Sequence, residues 1–145
     1  MALDLMEHSN RYLITGCNGF IGFHLSKSLL DEGKDVIGID NNNDYYDVNL
    51  KKARNKILTK ERNFSFFEAD ISSNDVFNIL DKIKPTHIVN LAASAGVRHS
   101  IDFPHTYIEN NITGFLNILE YCKNNKIQNL VYASTSSVYG GNIQM

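Results

Sequence analysis

The chain has little of several features that mark specialised protein classes. It contains no tryptophan, two prolines and two cysteines in 145 residues. Cys17 and Cys122 form neither a disulfide framework nor a zinc pattern, and the five histidines show no metal-ligand spacing. No apolar run approaches the ~20 residues that cross a bilayer, and a net charge of −2 provides no basic surface for nucleic acid. We therefore expect one globular domain with no metal, membrane or nucleic-acid partner.

The beginning of the given sequence does not show the pattern of a secretory signal peptide. Residues 1–10 have neither the basic segment nor the apolar stretch of a signal peptide. We expect these residues to be an N-terminal extension, the folded domain to cover 11–145, and the protein to be cytoplasmic.

A strand signal that runs into three glycines is the most informative local feature. Tyr12–Thr15 precedes Gly16, Gly19 and Gly22, which are spaced three apart. Such glycines permit a tight turn, a close approach of phosphate to the backbone and close packing of helix on sheet. Amide groups at the start of the next helix would then face a diphosphate. Cys17, inside this loop, is either a reactive thiol or, more simply, a small packing residue.

Strand and helix signals alternate along the remaining chain. Helical patterns occur near residues 20–33, 48–59, 73–84 and 104–124, with apolar strand-like runs between them. The predicted core-facing positions are Ile21, Leu25 and Leu29 in the first helix, Val76, Ile79, Leu80 and Ile83 in the third, and Ile112, Phe115, Leu116 and Leu119 in the last. Strands separated by helices pair in parallel through right-handed crossovers. The sequence predicts an α/β fold with a doubly wound parallel sheet, and an irregular stretch from Ser94 to Phe103 beside the ligand crevice.

Asp40 follows the second predicted strand and indicates which dinucleotide is bound. It lies 18 residues after Gly22, close to the roughly 20 expected for a carboxylate that binds the adenosine ribose. A carboxylate there repels a 2′-phosphate, and Asn41 and Asn42 beside it bring no cation. The pattern therefore favours NAD over NADP.

Other predicted strand ends carry groups that suit a dinucleotide. Asp70 can accept from an adenine amino group, although aspartate is also common in turns. Leu91, Ala92 and Ala93 have side chains that let a cofactor lie against the chain. Arg98, in the loop that follows, is a candidate for anion binding.

Two polar clusters lie in the second half of the chain. Asn110 and Asn111 are poor helix formers inside a predicted helix, which suggests a polar task for at least one of them. Thr135, Ser136 and Ser137 follow the fifth predicted strand. Their hydroxyls can bind a sugar or phosphate oxygen, or they can cap a helix.

These segments together resemble the amino-terminal half of an extended short-chain dehydrogenase/reductase, a family with a Rossmann fold. Thr15–Gly22, TGCNGFIG, is similar to the family's TGxxGFIG loop. Asp40–Lys51 (DNNNDYYDVNLK), Ala95–Arg98 (AGVR) and Ser134–Gly140 (STSSVYG) are similar to the UDP-glucuronate 4-epimerase branch of the NAD-dependent epimerase/dehydratase family.

The resemblance implies bound NAD and a set of site residues. The implied cofactor contacts are Gly16, Gly19, Phe20, Ile21, Gly22, Asp40, Asn41, Asp70, Ile71, Leu91, Ala92, Ala93 and Asn110. Thr135 corresponds to the family's catalytic serine or threonine, Ser136 and Ser137 would lie near the hexose, and Arg98 near the sugar nucleotide. The implied partners are a UDP-sugar and further copies of the chain in a homo-oligomer.

The reaction that the resemblance implies is redox epimerisation through a transient 4-keto sugar. A tyrosinate would take the proton of the 4-hydroxyl while NAD takes the C4 hydride and returns it to the other face, with Thr135 hydrogen-bonded to the reacting oxygen. The family's Tyr-x-x-x-Lys pair would follow Thr135 by roughly 25 residues, yet no tyrosine of this sequence is followed by lysine four positions later. We therefore expect a fold truncated after about the fifth strand, without the substrate domain and inactive alone.

Two other interpretations stay open. One is a fragment of a nucleotide-sugar 4,6-dehydratase or of a neutral-sugar 4-epimerase. Dehydratases of the family need an acid pair after the catalytic residue, where this sequence has Ser136 and Ser137. The other is a stand-alone, non-enzymatic NAD-binding module.

Overall fold

A computed structural model of the chain describes residues 10–141, so residues 1–9 of the predicted extension lie outside it. The strands are β1 Arg11–Thr15, β2 Asp35–Asp40, β3 Phe64–Glu68, β4 His87–Asn90 and β5 Asn129–Tyr132. The helices are α1 Phe20–Asp31, α2 Val48–Leu58, α3 Asp75–Ile83, α4 Val97–Asp102, α5 Pro104–Tyr107 and α6 Gly114–Asn124. A π-helical turn, Ile108–Thr113, joins α5 to α6, and a 3₁₀ turn covers Ser136–Tyr139. Within residues 10–141 no helix is both long and apolar enough to cross a membrane.

The five strands form one parallel sheet in the order β3-β2-β1-β4-β5. Strand order reverses at β1, which pairs with β2 on one side and β4 on the other. In such sheets ligands bind outside the carboxyl ends of the strands at this switch point. The predicted doubly wound Rossmann sheet is confirmed.

The central strand separates two apolar cores because its side chains alternate between the two faces. Leu13 packs in a core with residues of α3 and α6, whereas Ile14 packs with residues of α1 and α2. Both side chains are completely buried. Burial on both faces explains the apolar runs of β1 and β2.

The predicted face of α1 is wrong by one position. Ile21 is 63% exposed, and the buried residues of this helix are Gly22, Ser26 and Leu30. Gly22 sets this rotation because a Cβ atom there would lie 2.2 Å from the carbonyl oxygen of Gly16. Close packing at the glycine turns the apolar position beside it towards solvent. Leu25 and Leu29 contact the core only in part.

The predicted face of α6 is also wrong, while that of α3 is confirmed by the burial of Val76 and Leu80. In α6 the buried residues are Gly114, Ile118 and Tyr121, whereas Leu116 is exposed. Ile112 and Leu119 are exposed as well, and Phe115 is half-buried. The reason is again a glycine, since a Cβ atom on Gly114 would meet the Ile71 side chain at 2.8 Å.

The stretch from Ser94 to Phe103, which the sequence predicts to be irregular, contains the short helix α4. Gly96 precedes it with φ of +97°, a backbone conformation that favours glycine. The predicted long helix over 104–124 is present but is interrupted by the π-helical turn. Turns of this kind occur frequently at functional sites.

Candidate functional site

The glycine loop lies at the carboxyl end of β1, as predicted. Gly16 has φ of +69°, and its N–H donates to the carbonyl oxygen of Ile39 at 2.7 Å. A Cβ atom on Gly16 would lie 2.9 Å from the backbone nitrogen of Ala92. The loop therefore passes between the ends of β2 and β4 where only glycine fits.

The glycine loop leads into α1, and no side chain caps the N-terminus of that helix. Gly19 is the N-cap residue and has no side chain with which to cap the first turn. The amide groups of the first turn have no partner within their own helix and carry the positive end of its dipole. This arrangement suits a diphosphate.

Asp40 ends β2 and holds the glycine loop. Its carboxylate accepts from the N–H of Asn18 at 3.0 Å and from the N–H of Asn42 at 2.9 Å. Lys51 Nζ lies 3.7 Å from Asp40 Oδ1, and both side chains are almost fully buried. A carboxylate offers about four acceptor positions, so two of them remain for ribose hydroxyls.

Asp70 and Asn41 meet across the ends of β3 and β2. Asn41 Nδ2 donates to Asp70 at 2.9 Å, while Ser72 donates from its N–H at 2.8 Å and from its hydroxyl at 2.6 Å. Partial burial raises the pKa of Asp70, but the hydrogen bonds from Ser72 and Asn41 outweigh it and leave the pKa lowered. Asp70 is thus held as a carboxylate at the edge of the site.

Thr15 fixes the end of β4 from inside the sheet. Its hydroxyl donates to Asn90 Oδ1 at 2.7 Å and accepts from the N–H groups of Leu91 and Ala92, each at 3.1 Å. These bonds span about 75 positions of sequence. Sequence reasoning used Thr15 only as part of a motif and missed this role.

Asn110 and Asn111, for which the sequence suggests a polar role, both form hydrogen bonds with Ser94. Asn110 Nδ2 donates to Ser94 Oγ at 2.7 Å. Asn111 accepts from the Ser94 N–H at 2.7 Å and donates to the Ser94 carbonyl at 2.8 Å. The π-helical turn presents both side chains to the loop after β4, so this loop is held at the mouth of the site.

These elements line a cavity at the switch point of the sheet. Ten of the thirteen predicted cofactor residues line it: Gly16, Gly19, Asp40, Asn41, Asp70, Ile71, Leu91, Ala92, Ala93 and Asn110. Phe20, Ile21 and Gly22 do not; the first two are exposed on α1 and Gly22 packs against the loop. The lining also contains residues that are not among those thirteen: Ile39, Asn43, Tyr45, Tyr46, Lys51, Ala69 and Ser94.

The two adjacent tyrosines form one wall of this cavity and join its two sides. Tyr45 donates to the carbonyl oxygen of Ala95 at 2.5 Å, which links the loop after β2 to the loop after β4. Tyr46 donates to the carbonyl oxygen of Asn18 at 3.3 Å. Arg54 donates to the same carbonyl at 3.2 Å. The loop between β2 and α2 is thereby tied to the glycine loop.

The predicted substrate and catalytic residues lie outside the lining of the cavity. Thr135 caps the 3₁₀ turn by accepting from the Ser137 N–H at 3.2 Å, and its side chain is exposed. Ser136 and Ser137 are exposed in that turn, and Arg98 is exposed on α4. Their roles stay predictions.

Cys17 is a packing residue. Its side chain is completely buried, and its Sγ lies 2.5 Å from the position that a Cβ atom on Gly38 would take. Burial, and then the charge of Asp40, raise the pKa of its thiol. No cluster of three or more histidine, cysteine, aspartate or glutamate side chains among residues 10–141 could hold a metal ion.

Known proteins match most of this chain in sequence. The family model described as GDP-mannose 4,6 dehydratase matches residues 13–144. Protein CapI of Staphylococcus aureus is 52% identical over 133 residues, which are 91% of this chain and 40% of that protein. A UDP-glucuronate 4-epimerase of Thermodesulfobacterium geofontis is 48% identical over 134 residues, 90% of this chain and 41% of that enzyme.

A solved structure extends the comparison to three dimensions. The UDP-glucuronic acid 4-epimerase of Bacillus cereus, in complex with UDP-glucuronic acid and NAD, superposes with a TM-score of 0.82 at 36% identity. The superposition covers 92% of this chain and 43% of that one, and it matches the amino-terminal part of the epimerase. The chain spans about two fifths of the length of the curated relatives it matches. It belongs to the GDP-mannose 4,6 dehydratase family, within the NAD-dependent epimerases and dehydratases that its motifs resemble.

Proposed function

We propose that this chain is the NAD-binding part of a nucleotide-sugar 4-epimerase that acts on UDP-glucuronate. The observation that carries the proposal is a single cavity in which Gly16 and Gly19 face Asp40 and Asn110. The named relatives support the substrate, since both the 48% identical enzyme and the superposed structure are epimerases of UDP-glucuronate.

The residues of the cavity fit NAD. The absence of side chains at Gly16 and Gly19 lets a diphosphate approach the backbone, and the uncapped N-terminus of α1 offers its first-turn amides and the positive end of the helix dipole. Asp40 retains acceptor capacity for ribose hydroxyls. Asp70 stays ionised and can accept from an adenine amino group.

In the proposed reaction this chain binds and orients the reactants. NAD, when bound, supplies a hydride acceptor that can return the hydride to the same carbon. Thr135 would hydrogen-bond the reacting sugar oxygen, and its exposed hydroxyl engages only Ser137 among the described residues. Ser136, Ser137 and Arg98 would bind the sugar nucleotide. The proton acceptor of the reaction would be the tyrosine of a Tyr-x-x-x-Lys pair, and the given sequence contains no such pair.

The dehydratase alternative draws on the name of the matching family model. An acid pair after the catalytic residue would be needed to eliminate water from the sugar, and Ser136 and Ser137 occupy those positions. Hydroxyl groups at both positions favour the epimerase. Turnover of UDP-glucuronate, UDP-glucose and GDP-mannose by a longer protein that contains this sequence would separate the alternatives.

Calorimetric titration of the 145-residue chain with NAD tests the proposal. We expect saturable binding with one site per chain. Asp40→Asn, which removes the charge at the ribose end, should weaken NAD binding by about tenfold or more. Asp81→Asn changes an exposed carboxylate on α3 and should have no effect. Absence of NAD binding by a folded chain would overturn the proposal, and binding unaffected by Asp40→Asn would remove Asp40 from it.

Two further parts of the proposal concern the isolated chain. We expect no conversion of UDP-glucuronate by the chain alone, and measurable turnover would contradict this.

Self-association also stays a prediction, for which the exposed apolar positions Ile108, Ile112, Leu116 and Leu119 on one helical face supply a candidate surface. Light scattering should show more than a monomer, and Leu116→Lys should shift the chain towards monomer. Cytoplasmic location and the absence of nucleic-acid partners are untested predictions.

A further inference from the structure

Lys51 places a nearly buried ammonium group in the wall of the cavity. The residue belongs to the first turns of α2, whose start is capped by Asp47 through the N–H of Asn49 at 2.8 Å. Side chains on a helix lean towards its N-terminus, so Lys51 extends over the loop that follows Asp40. Its side chain is 6% exposed and lines the same cavity as Asp40.

The ammonium group has donor capacity that the described residues do not use. Lys51 Nζ donates to Asn43 Oδ1 at 2.7 Å. Asp40 Oδ1, at 3.7 Å, attracts its charge without a hydrogen bond, and the ring centroid of Tyr46 lies 4.8 Å away. An ammonium has three protons to donate, and within residues 10–141 Asn43 is the one hydrogen-bond acceptor. Because buried donors without acceptors are costly, an oxygen-rich ligand in the cavity would be stabilised at this point.

We propose that Lys51 reads the adenosine ribose together with Asp40, donating to the oxygen at the 2′ position while the carboxylate accepts from a ribose hydroxyl. This inference rests on the proposed NAD site and assigns one more residue to it. Asp40 and Lys51 then form a neutral pair that offers both an acceptor and a donor to the ribose. Asn43 orients the ammonium.

The pair changes what the site should do with a 2′-phosphate. Asp40 alone repels that group, which is why the sequence favours NAD over NADP. Lys51 brings a cation within 3.7 Å of Asp40 and offsets part of the repulsion, because opposite charges interact strongly in a desolvated site. The chain should therefore prefer NAD while still binding NADP, and the margin should depend on Lys51.

Calorimetric titration of the full chain with NAD and with NADP measures that margin. For the unmodified chain we expect NADP to bind within about a hundredfold of NAD. Lys51→Met nearly keeps the length of the side chain. It should weaken the binding of NAD by about tenfold and the binding of NADP by about a hundredfold. Lys52→Met changes the adjacent exposed lysine and should leave both affinities within about twofold.

Each result decides the inference. It is overturned by NADP binding below detection in the unmodified chain, by unchanged affinities in Lys51→Met, or by equal losses for NAD and NADP in that variant. All three results leave NAD binding by the unmodified chain, and hence the proposed function, intact. If the unmodified chain is folded and binds neither dinucleotide, the proposed function falls and the inference with it.

Thermal unfolding without nucleotide checks that the variants fold. If Lys51→Met does not fold, Lys51→Arg provides the test because it keeps the charge. We expect Lys51→Arg to hold the NADP-to-NAD affinity ratio within about threefold of the unmodified chain. A ratio changed by about tenfold or more would mean that charge at this position does not set the margin.

Discussion

The hydroxyl of Thr15 is expected to be among the most sensitive single groups in the chain. It donates to Asn90 Oδ1 and accepts from the N–H groups of Leu91 and Ala92, and the side chain is completely buried. Thr15→Val keeps the shape of the side chain and removes all three bonds. Leu91 and Ala92 line the cavity, so the variant should affect both stability and NAD affinity.

The magnitude follows from what each group retains. Leu91 keeps the carbonyl oxygen of Thr15, to which its N–H already donates at 3.3 Å. Asn90 Oδ1, which is buried, loses the hydroxyl that donates to it. The N–H of half-buried Ala92 loses the hydroxyl oxygen that accepts from it. A buried unsatisfied polar group costs about 1–3 kcal/mol, so the free energy of unfolding should fall by about 2–4 kcal/mol. For a chain of this size that lowers Tm by about 5–15 °C.

Chemical denaturation and thermal unfolding of Thr15→Val measure this loss, with two variants as references. Thr15→Ser keeps the hydroxyl and should lose only about 1 kcal/mol through the missing methyl group. Thr59→Val removes an exposed hydroxyl that donates to the carbonyl oxygen of Asn55 at 3.0 Å, and it should change stability by at most about 0.5 kcal/mol. A free energy of unfolding for Thr15→Val within about 0.5 kcal/mol of the unmodified chain would refute the reasoning.

Three further predictions concern the same loop and its surroundings. Gly22→Ala should destabilise the chain by about 1–3 kcal/mol or more, because its Cβ would lie 2.2 Å from a loop carbonyl oxygen; equal denaturation midpoints would argue against this close contact. Burial raises the thiol pKa of both cysteines. Because Cys17 is completely buried and Cys122 only half-buried, an aromatic disulfide reagent should modify Cys122 first and Cys17 only on unfolding; early labelling of Cys17 in a peptide digest would contradict that order. Burial raises the pKa of Asp70, but hydrogen bonds led by those from Ser72 lower it overall. Because the pKa of Asp70 is lower in the folded chain, the ionised carboxylate stabilises the fold at pH values above its unfolded pKa, and this stabilisation is lost as pH falls through the folded pKa. Asp70→Asn should therefore flatten the acid limb of the curve of unfolding free energy against pH. An unchanged limb would count against this contribution.

Much of the fold was predictable because its signals are local. The glycines at 16, 19 and 22, the apolar run of β1 and the 3.6-residue period of α3 each lie within a dozen residues. Asp40 could be assigned from its distance to Gly22, because the first β-α-β unit has a nearly constant length. Ten of the thirteen cofactor positions that the family resemblance implies line one cavity.

The errors come from helices in which apolar residues cover more than one face. The π-helical turn and α6 together have one apolar stripe through Ile112, Leu116 and Leu119 and a second through Ile118 and Tyr121. Periodicity alone does not choose between them. The choice depends on Gly114, which permits contact with Ile71, a residue 43 positions earlier in the sequence. The sequence shows a glycine there but not what approaches it.

The amino-acid sequence by itself determined the doubly wound sheet and the glycine loop at its switch point, and it predicted a preference for an NAD-type ribose, since each depends on residues close in the chain. Only the tertiary structure decided how the site is held and charged. Thr15 reaches Asn90 across neighbouring strands, and Lys51 returns from α2 to lie 3.7 Å from Asp40. Sequence reasoning found Asn41 and Asn42 beside Asp40 and concluded that no cation was near. The helix brings one there because a side chain at its start lies over the end of the strand before it, a proximity that spacing along the chain does not record.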